Sequence, residues 1–95
     1  MERKTKIVAT LGPATQDAAV IQELIERGMN VARFNFSHGT HDEHAARFKL
    51  VREIADSLDR PVAIMQDIQG PKIRVGTFPG GEVTLEVGDL VSLVP

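Results

Sequence analysis

The chain opens with hydrophobic positions whose spacing switches between that of a strand and that of a helix. A short β-prone run at residues 7–9 stops at a Gly-Pro turn signal. Apolar residues then recur at steps of three and four over residues 18–25, which predicts a helix. Thr15 or Asp17 is expected to cap the start of this helix, and Gly28 is expected to close its end.

The same switching between strand and helix spacing continues over about the next 40 residues. That length accommodates one more strand, one helix and a final strand. A second β-type run covers residues 30–36, a helical pattern covers residues 42–58, and a third strand-like run at residues 62–65 leads into Asp67. The apolar face predicted for the second helix consists of Ala45, Phe48, Val51, Ala55 and Leu58. The order β-α-β-α-β with short connections predicts parallel strands covered by helices.

The pattern changes after residue 70. Apolar residues alternate with polar ones at positions 83–87 and 91–93, and Gly-rich turn signals precede both runs. Such alternation between tight turns is typical of hairpins in an antiparallel sheet. The sequence therefore predicts two units, with residues 1–70 in the parallel α/β part and residues 71–95 at the start of a small β domain.

Composition narrows the class of protein. Apolar residues make up 42% and charged residues 25% of the 95 positions, which is typical of a globular domain. The formal net charge is −2 and no basic run is present, so a nucleic-acid partner is not expected. The chain has no cysteine, which excludes a disulfide framework and a thiolate zinc site. No apolar run is long enough to span a bilayer, and we expect a cytoplasmic protein without membrane contact.

The second predicted strand carries a polar face. Side chains alternate between the two faces of a strand. Arg33, Asn35 and Ser37 therefore share one face, and Ala32, Phe34 and Phe36 share the other. One interpretation is an edge strand with a solvated face. The other is a polar site at the carboxyl end of a parallel strand, where α/β barrels place their active sites. An arginine fork there suits phosphate or carboxylate, and the Asn and Ser oxygens suit a hard cation.

Other polar residues admit two interpretations each. Asp67 follows the third strand, either as a turn or cap residue or as the one carboxylate of a cation pocket. Arg74 is either a solvated side chain or a group at the mouth of the same sheet. The histidines His38, His41 and His44 lack the spacing of a zinc site, and we expect them to be solvated near the start of the second helix.

Three segments resemble the sequences of pyruvate kinases: KIVATLGPA at residues 6–14, GMNVARFNFSHGT at 28–40 and DIQGPKIRVG at 67–76. The resemblance implies a (β/α)8 TIM barrel that is interrupted after its third strand by a small antiparallel β-barrel lid. Residues 1–70 would belong to the barrel and residues 71–95 to the lid. It also implies phosphoryl transfer from phosphoenolpyruvate to ADP, giving pyruvate and ATP, in a homotetramer.

The same resemblance implies roles for particular residues. Arg33 would bind the transferring phosphoryl group. Asn35, Ser37, His38 and Arg74 would bind the nucleotide phosphates. A monovalent-cation site would consist of Asn35, Ser37, Asp67 and the backbone carbonyl of Ile68. The Mg²⁺ ligands and the catalytic lysine of the family have no counterpart in this segment, which therefore holds no expected catalytic residue.

One position departs from the family pattern. Many members carry an acidic residue where this chain has Lys72, and a threonine where it has Ile68. The ammonium group of Lys72 is expected to stand in for K⁺, so we predict an enzyme that works without potassium.

The length of the chain leaves alternatives open. A closed barrel needs about 250 residues, so we expect the 95-residue chain to be inactive alone. One alternative is a non-catalytic fragment or interaction module. Another is a different barrel enzyme, such as a lyase or aldolase acting on pyruvate or its enol, because fold does not determine chemistry.

Overall fold

The computed structural model describes residues 3–95. Its elements are strand β1 (Val8–Thr10), helix α1 (Ala18–Glu26), strand β2 (Val31–Asn35), helix α2 (His41–Ser57) and strand β3 (Ala63–Asp67). The three strands form one parallel sheet in the order β1-β2-β3. The predicted β-α-β-α-β order and the parallel pairing are confirmed.

One face of the sheet packs against the helices. Ala32 and Phe34 of β2 are almost fully buried there, at 0% and 3% exposure, and meet Ile21 and Ile25 of α1. The other members of this core are Leu11, Met29, Val51, Ala55 and Val62. Each buried Ile or Val removes enough apolar surface from water to contribute about 1.5–3 kcal/mol. The core therefore fixes which face of β2 points away from the helices.

The residues at the helix ends explain where each helix begins or ends. Gly28 after α1 has φ +115°, which a residue with a Cβ adopts only under strain. The side-chain oxygen of Thr40 accepts a hydrogen bond from the Glu43 N–H at 3.2 Å and caps α2. Asp17 is the residue at the start of α1, as one of the two predictions had it, but its side chain makes no capping hydrogen bond. Thr15 instead accepts from the Gly12 N–H.

The buried face of α2 differs from the prediction in its first two turns. His44 and Arg47 are buried, whereas Ala45 is exposed and Phe48 is 47% exposed. The predicted face is therefore wrong by one position there, and right at Val51 and Ala55. At one of these positions the buried His44 ring is stacked on the ring of Phe36.

Residues 71–95 differ from the expected hairpins. The two predicted turns form, with the Gly81 N–H donating to the Phe78 carbonyl at 2.9 Å and the Asp89 N–H donating to the Glu86 carbonyl at 3.1 Å. No strand follows Asp67 within the described part of the chain. An alternating pattern gives a strand one apolar face. A stable sheet also needs neighbouring strands to pair with and a layer that covers the apolar face. The small antiparallel domain remains a prediction.

Neither α-helix in residues 3–95 is both long enough and apolar enough to cross a bilayer.

Candidate functional site

A polar cavity of about 330 Å³ lies at the carboxyl ends of β2 and β3. It contains all eight residues that the sequence singled out for phosphate or cation binding. Its lining consists of Arg33, Asn35, Ser37, His38, Asp67, Ile68, Gln69, Gly70, Lys72 and Arg74. The roles of these residues remain predictions, but their meeting in one cavity is a property of the fold.

The strand register explains why they meet. Asn35 pairs with Asp67, and Arg33 pairs with Thr10 of β1 on one side and with Met65 of β3 on the other. Paired residues in neighbouring strands point to the same face of a sheet. Because Phe34 fills the core on the opposite face, Arg33 and Asn35 must point away from the helices.

The guanidinium of Arg33 is held by two neighbouring strands. Its Nε donates to Oδ2 of Asp67 at 2.9 Å, and Nη2 donates to the same oxygen. Its Nη1 donates to Oγ1 of Thr10 at 3.0 Å. An arginine has five N–H donors, so these contacts leave one N–H on each terminal nitrogen for a ligand. With side-chain exposures of 30% and 45% for Arg33 and Asp67, the ion pair orients the group more than it stabilises the fold.

Thr10 holds Arg33 from outside the cavity lining, and the sequence analysis did not single it out. Its place opposite Arg33 comes from the strand register, which the structure shows. A strand of three residues is too short for alternation to mark one side chain.

The loop after β2 is tied to the end of the strand. The Ser37 N–H donates to Oδ1 of Asn35 at 3.1 Å, and the His38 N–H donates to the Asn35 carbonyl at 3.2 Å. The Phe36 N–H donates to the Asp67 carbonyl at 2.9 Å and joins the loop to β3. Asn35 thus shapes the loop through its side chain and its backbone together.

The charges of the cavity favour an anion. Arg33, Lys72 and Arg74 bring three positive charges, and Asp67 is the one carboxylate in the lining. That carboxylate already accepts two hydrogen bonds from Arg33. Among residues 3–95 no group of three or more His, Cys, Asp or Glu side chains is placed to hold a metal ion. The guanidinium and ammonium groups in the lining are donors of the kind that bind phosphate oxygens.

His44 lies next to this cavity and was expected to be solvated. That expectation is wrong: His44 is 5% exposed, and its Nε2 lies 2.7 Å from the carbonyl oxygen of His38. His38 and His41 are exposed, as expected. The sequence signal that was available is spacing, because His44 precedes Val51 by seven residues and falls on the same side of α2.

The fold and the cavity define a class of protein. Three parallel strands with helices on one face, and a polar cavity at the carboxyl ends of the strands, match the opening units of an α/β barrel. The family described as pyruvate kinase, barrel domain, matches residues 2–94, and the chain therefore belongs to the pyruvate kinase family.

Individual relatives agree with this. The chain is 52% identical over 93 residues to the pyruvate kinase of Corynebacterium efficiens, covering 98% of the chain and 20% of that protein. It is 52% identical over 90 residues to the pyruvate kinase of Thermococcus litoralis, covering 95% of the chain and 19% of that protein. The crystal structure of Cryptosporidium parvum pyruvate kinase is similar with a TM-score of 0.78 and 43% identity, over 84% of the chain and 17% of that structure. The chain thus spans about a fifth of the length of these relatives.

Proposed function

We propose that this chain supplies part of the substrate site of a pyruvate kinase, which transfers a phosphoryl group from phosphoenolpyruvate to ADP. The observation that supports this proposal is the cationic cavity at the carboxyl ends of β2 and β3, in a member of the pyruvate kinase family. Transfer of a phosphoryl group is catalysed mainly by positioning and by neutralising charge. Oriented guanidinium groups supply both.

Arg33 is proposed to bind the transferring phosphoryl group. Its contacts with Asp67 and Thr10 keep the guanidinium in one orientation while leaving an N–H on each terminal nitrogen. A guanidinium held in this way donates two hydrogen bonds to phosphate without first losing side-chain freedom.

The nucleotide phosphates are proposed to bind to Asn35, Ser37, His38 and Arg74. The loop of residues 37–38 follows directly from β2, and Arg74 lines the same cavity from the segment beyond β3. With these residues the acceptor nucleotide would lie beside the phosphoryl group that Arg33 is proposed to bind.

The cation requirements are proposed to differ from those of many family members. The predicted K⁺ ligands Asn35, Ser37, Asp67 and the Ile68 carbonyl share their cavity with Lys72. An ammonium group in this position supplies the positive charge that a monovalent cation would bring. Mg²⁺ is the divalent ion expected for the reaction, with its ligands outside this segment.

The cellular setting is proposed from the family. We infer a cytoplasmic enzyme whose complete form is a homotetramer.

Replacing Arg33 with Gln tests the proposal in the full-length product of the gene that encodes this chain. We expect kcat/KM for phosphoenolpyruvate to fall by about a hundredfold or more, the usual cost of removing one group that stabilises transition-state charge. Arg27→Gln is the matched control, since Arg27 is a 78% exposed surface arginine paired with Glu23. It should leave kcat/KM within about twofold. Pyruvate formation is followed in a coupled assay.

Two results would contradict the proposed function, and a third would contradict the role assigned to Arg33. One is a folded wild-type protein that forms no pyruvate from phosphoenolpyruvate and ADP. Activity that needs pyruvate or its enol but no nucleotide would instead favour a lyase or aldolase on the same fold. Equal losses in the Arg33 and Arg27 variants would remove the assigned role of Arg33.

A further inference from the structure

A buried histidine connects the first turn of α2 to the loop at the proposed nucleotide site. The His44 ring is stacked on the ring of Phe36, with centroids 4.4 Å apart and planes at 9°. Phe34 of the core lies 6.0 Å away on an approximately parallel plane. The ring is therefore fixed by the core, and its Nε2 reaches the His38 carbonyl at 2.7 Å.

The chemistry of this contact determines the tautomer. A carbonyl oxygen only accepts hydrogen bonds, so Nε2 of His44 must carry the proton. Nδ1 is buried and has no hydrogen-bond partner within the described residues. Burying an imidazole with one unpaired nitrogen costs free energy that a leucine in the same place would avoid. The bond to the His38 carbonyl is the contact that a leucine could not make.

The peptide of His38 is held from both sides. Its N–H donates to the Asn35 carbonyl of β2, and the His38 carbonyl accepts from His44 of α2. Gly39 follows with φ +76°, and a Cβ there would lie 3.2 Å from Nε2 of His44 and 3.1 Å from Glu43. The loop thus closes tightly against the start of α2.

From this geometry we propose that His44 is a positioning residue for nucleotide binding. It touches no substrate itself; it holds the backbone of His38, and with it the loop of residues 37–38, in the conformation that receives the nucleotide phosphates. The proposal rests on the proposed function, because it assigns the loop to ADP.

Two variants of the full-length product separate positioning from packing. His44→Phe keeps the stack on Phe36 and removes the N–H donor, whereas His44→Gln keeps a donor and loses the stack. We expect His44→Phe to raise the KM for ADP about three- to tenfold, the size of one lost hydrogen bond, with the KM for phosphoenolpyruvate within twofold. His44→Gln should retain the wild-type KM for ADP while its Tm falls. His41→Phe, at an exposed position of α2, is the control.

The opposite pattern would overturn the proposal. A normal KM for ADP in His44→Phe, or equal shifts in both KM values and kcat, would leave His44 a packing residue only. Amide hydrogen exchange gives a readout that needs no turnover. The His38 amide should exchange at least fivefold faster in His44→Phe than in wild type, and equal rates would refute the positioning role. A wild-type protein without turnover would refute the proposed function. The comparison of amide exchange between His44→Phe and wild type would still test whether His44 holds the His38 backbone.

Discussion

Single side chains determine which ions suit the carboxyl edge of this sheet. Asp67 is the one carboxylate in the cavity lining, and it accepts two hydrogen bonds from Arg33. Lys72 and Arg74 add positive charge without a carboxylate of their own in the lining. Opposite charges at short range stabilise each other, so Arg33 and Asp67 hold each other in place. The arrangement is consistent with a site for phosphates.

At this scale we predict activity without potassium. Replacing K⁺ with tetramethylammonium should change the turnover of the full-length product by less than twofold. Lys72→Glu should lower turnover at least tenfold in tetramethylammonium and recover most of it in K⁺, because the substitution exchanges an ammonium group for a carboxylate that a cation neutralises. Turnover in the two salts is the measurement.

Lys4→Glu is the control for the change of charge, since Lys4 is exposed and lies outside the cavity. It should behave like wild type in both salts. Strict dependence of the wild-type enzyme on K⁺ would show that Lys72 does not replace the ion.

At the scale of elements, the two helices begin in different ways. The Thr40 side chain accepts a backbone hydrogen bond in the first turn of α2, whereas Asp17 makes no such bond at the start of α1. Both residue types favour this position, so the sequence alone does not distinguish them. The orientation of the side chain decides whether the cap contributes a hydrogen bond.

Removing the two N-cap side chains should lower the free energy of unfolding by different amounts. We expect Thr40→Ala to lower the free energy of unfolding by about 1 kcal/mol. Asp17→Ala should lower it by less than about 0.5 kcal/mol, because only its charge near the helix N-terminus is lost. Urea denaturation followed by circular dichroism measures both. Equal losses in the two variants would mean that the capping bond of Thr40 contributes nothing.

At the scale of the whole molecule, the chain has two parts of different character. Residues up to 70 contain all the strands and helices and the buried core of the described residues. Beyond residue 70 many apolar side chains are exposed, and Ile73, Val87 and Leu90 are each completely so. We propose that residues 1–70 and 71–95 belong to separate structural units, the barrel and the lid.

Amide hydrogen exchange on the chain of residues 1–95 tests this division. Amides in the β2–β3 pairing should exchange at least a hundredfold more slowly than those of residues 83–94, because paired and buried backbone groups open rarely. Residues 83–94 should exchange at nearly the rate of an unstructured peptide. Protection of both regions to the same degree would contradict the division.

Much of this protein follows from local sequence patterns. Hydrophobic spacing predicts the three strands and two helices, since each element repeats with its own period. Alternation along β2 places Arg33 and Asn35 on one face, and the family motifs predict which residues would form the site.

Only the tertiary structure decided how these parts meet. The parallel register brings Thr10 to Arg33 and Asp67 to Asn35, although they are far apart in sequence. The His44 ring stacks on Phe36, and a histidine expected to be solvated is instead buried and contacts the loop after β2. Local patterns determine periodicity, which depends on near neighbours in the chain. Register, stacking and burial depend on packing between distant segments, and no window of sequence contains that information.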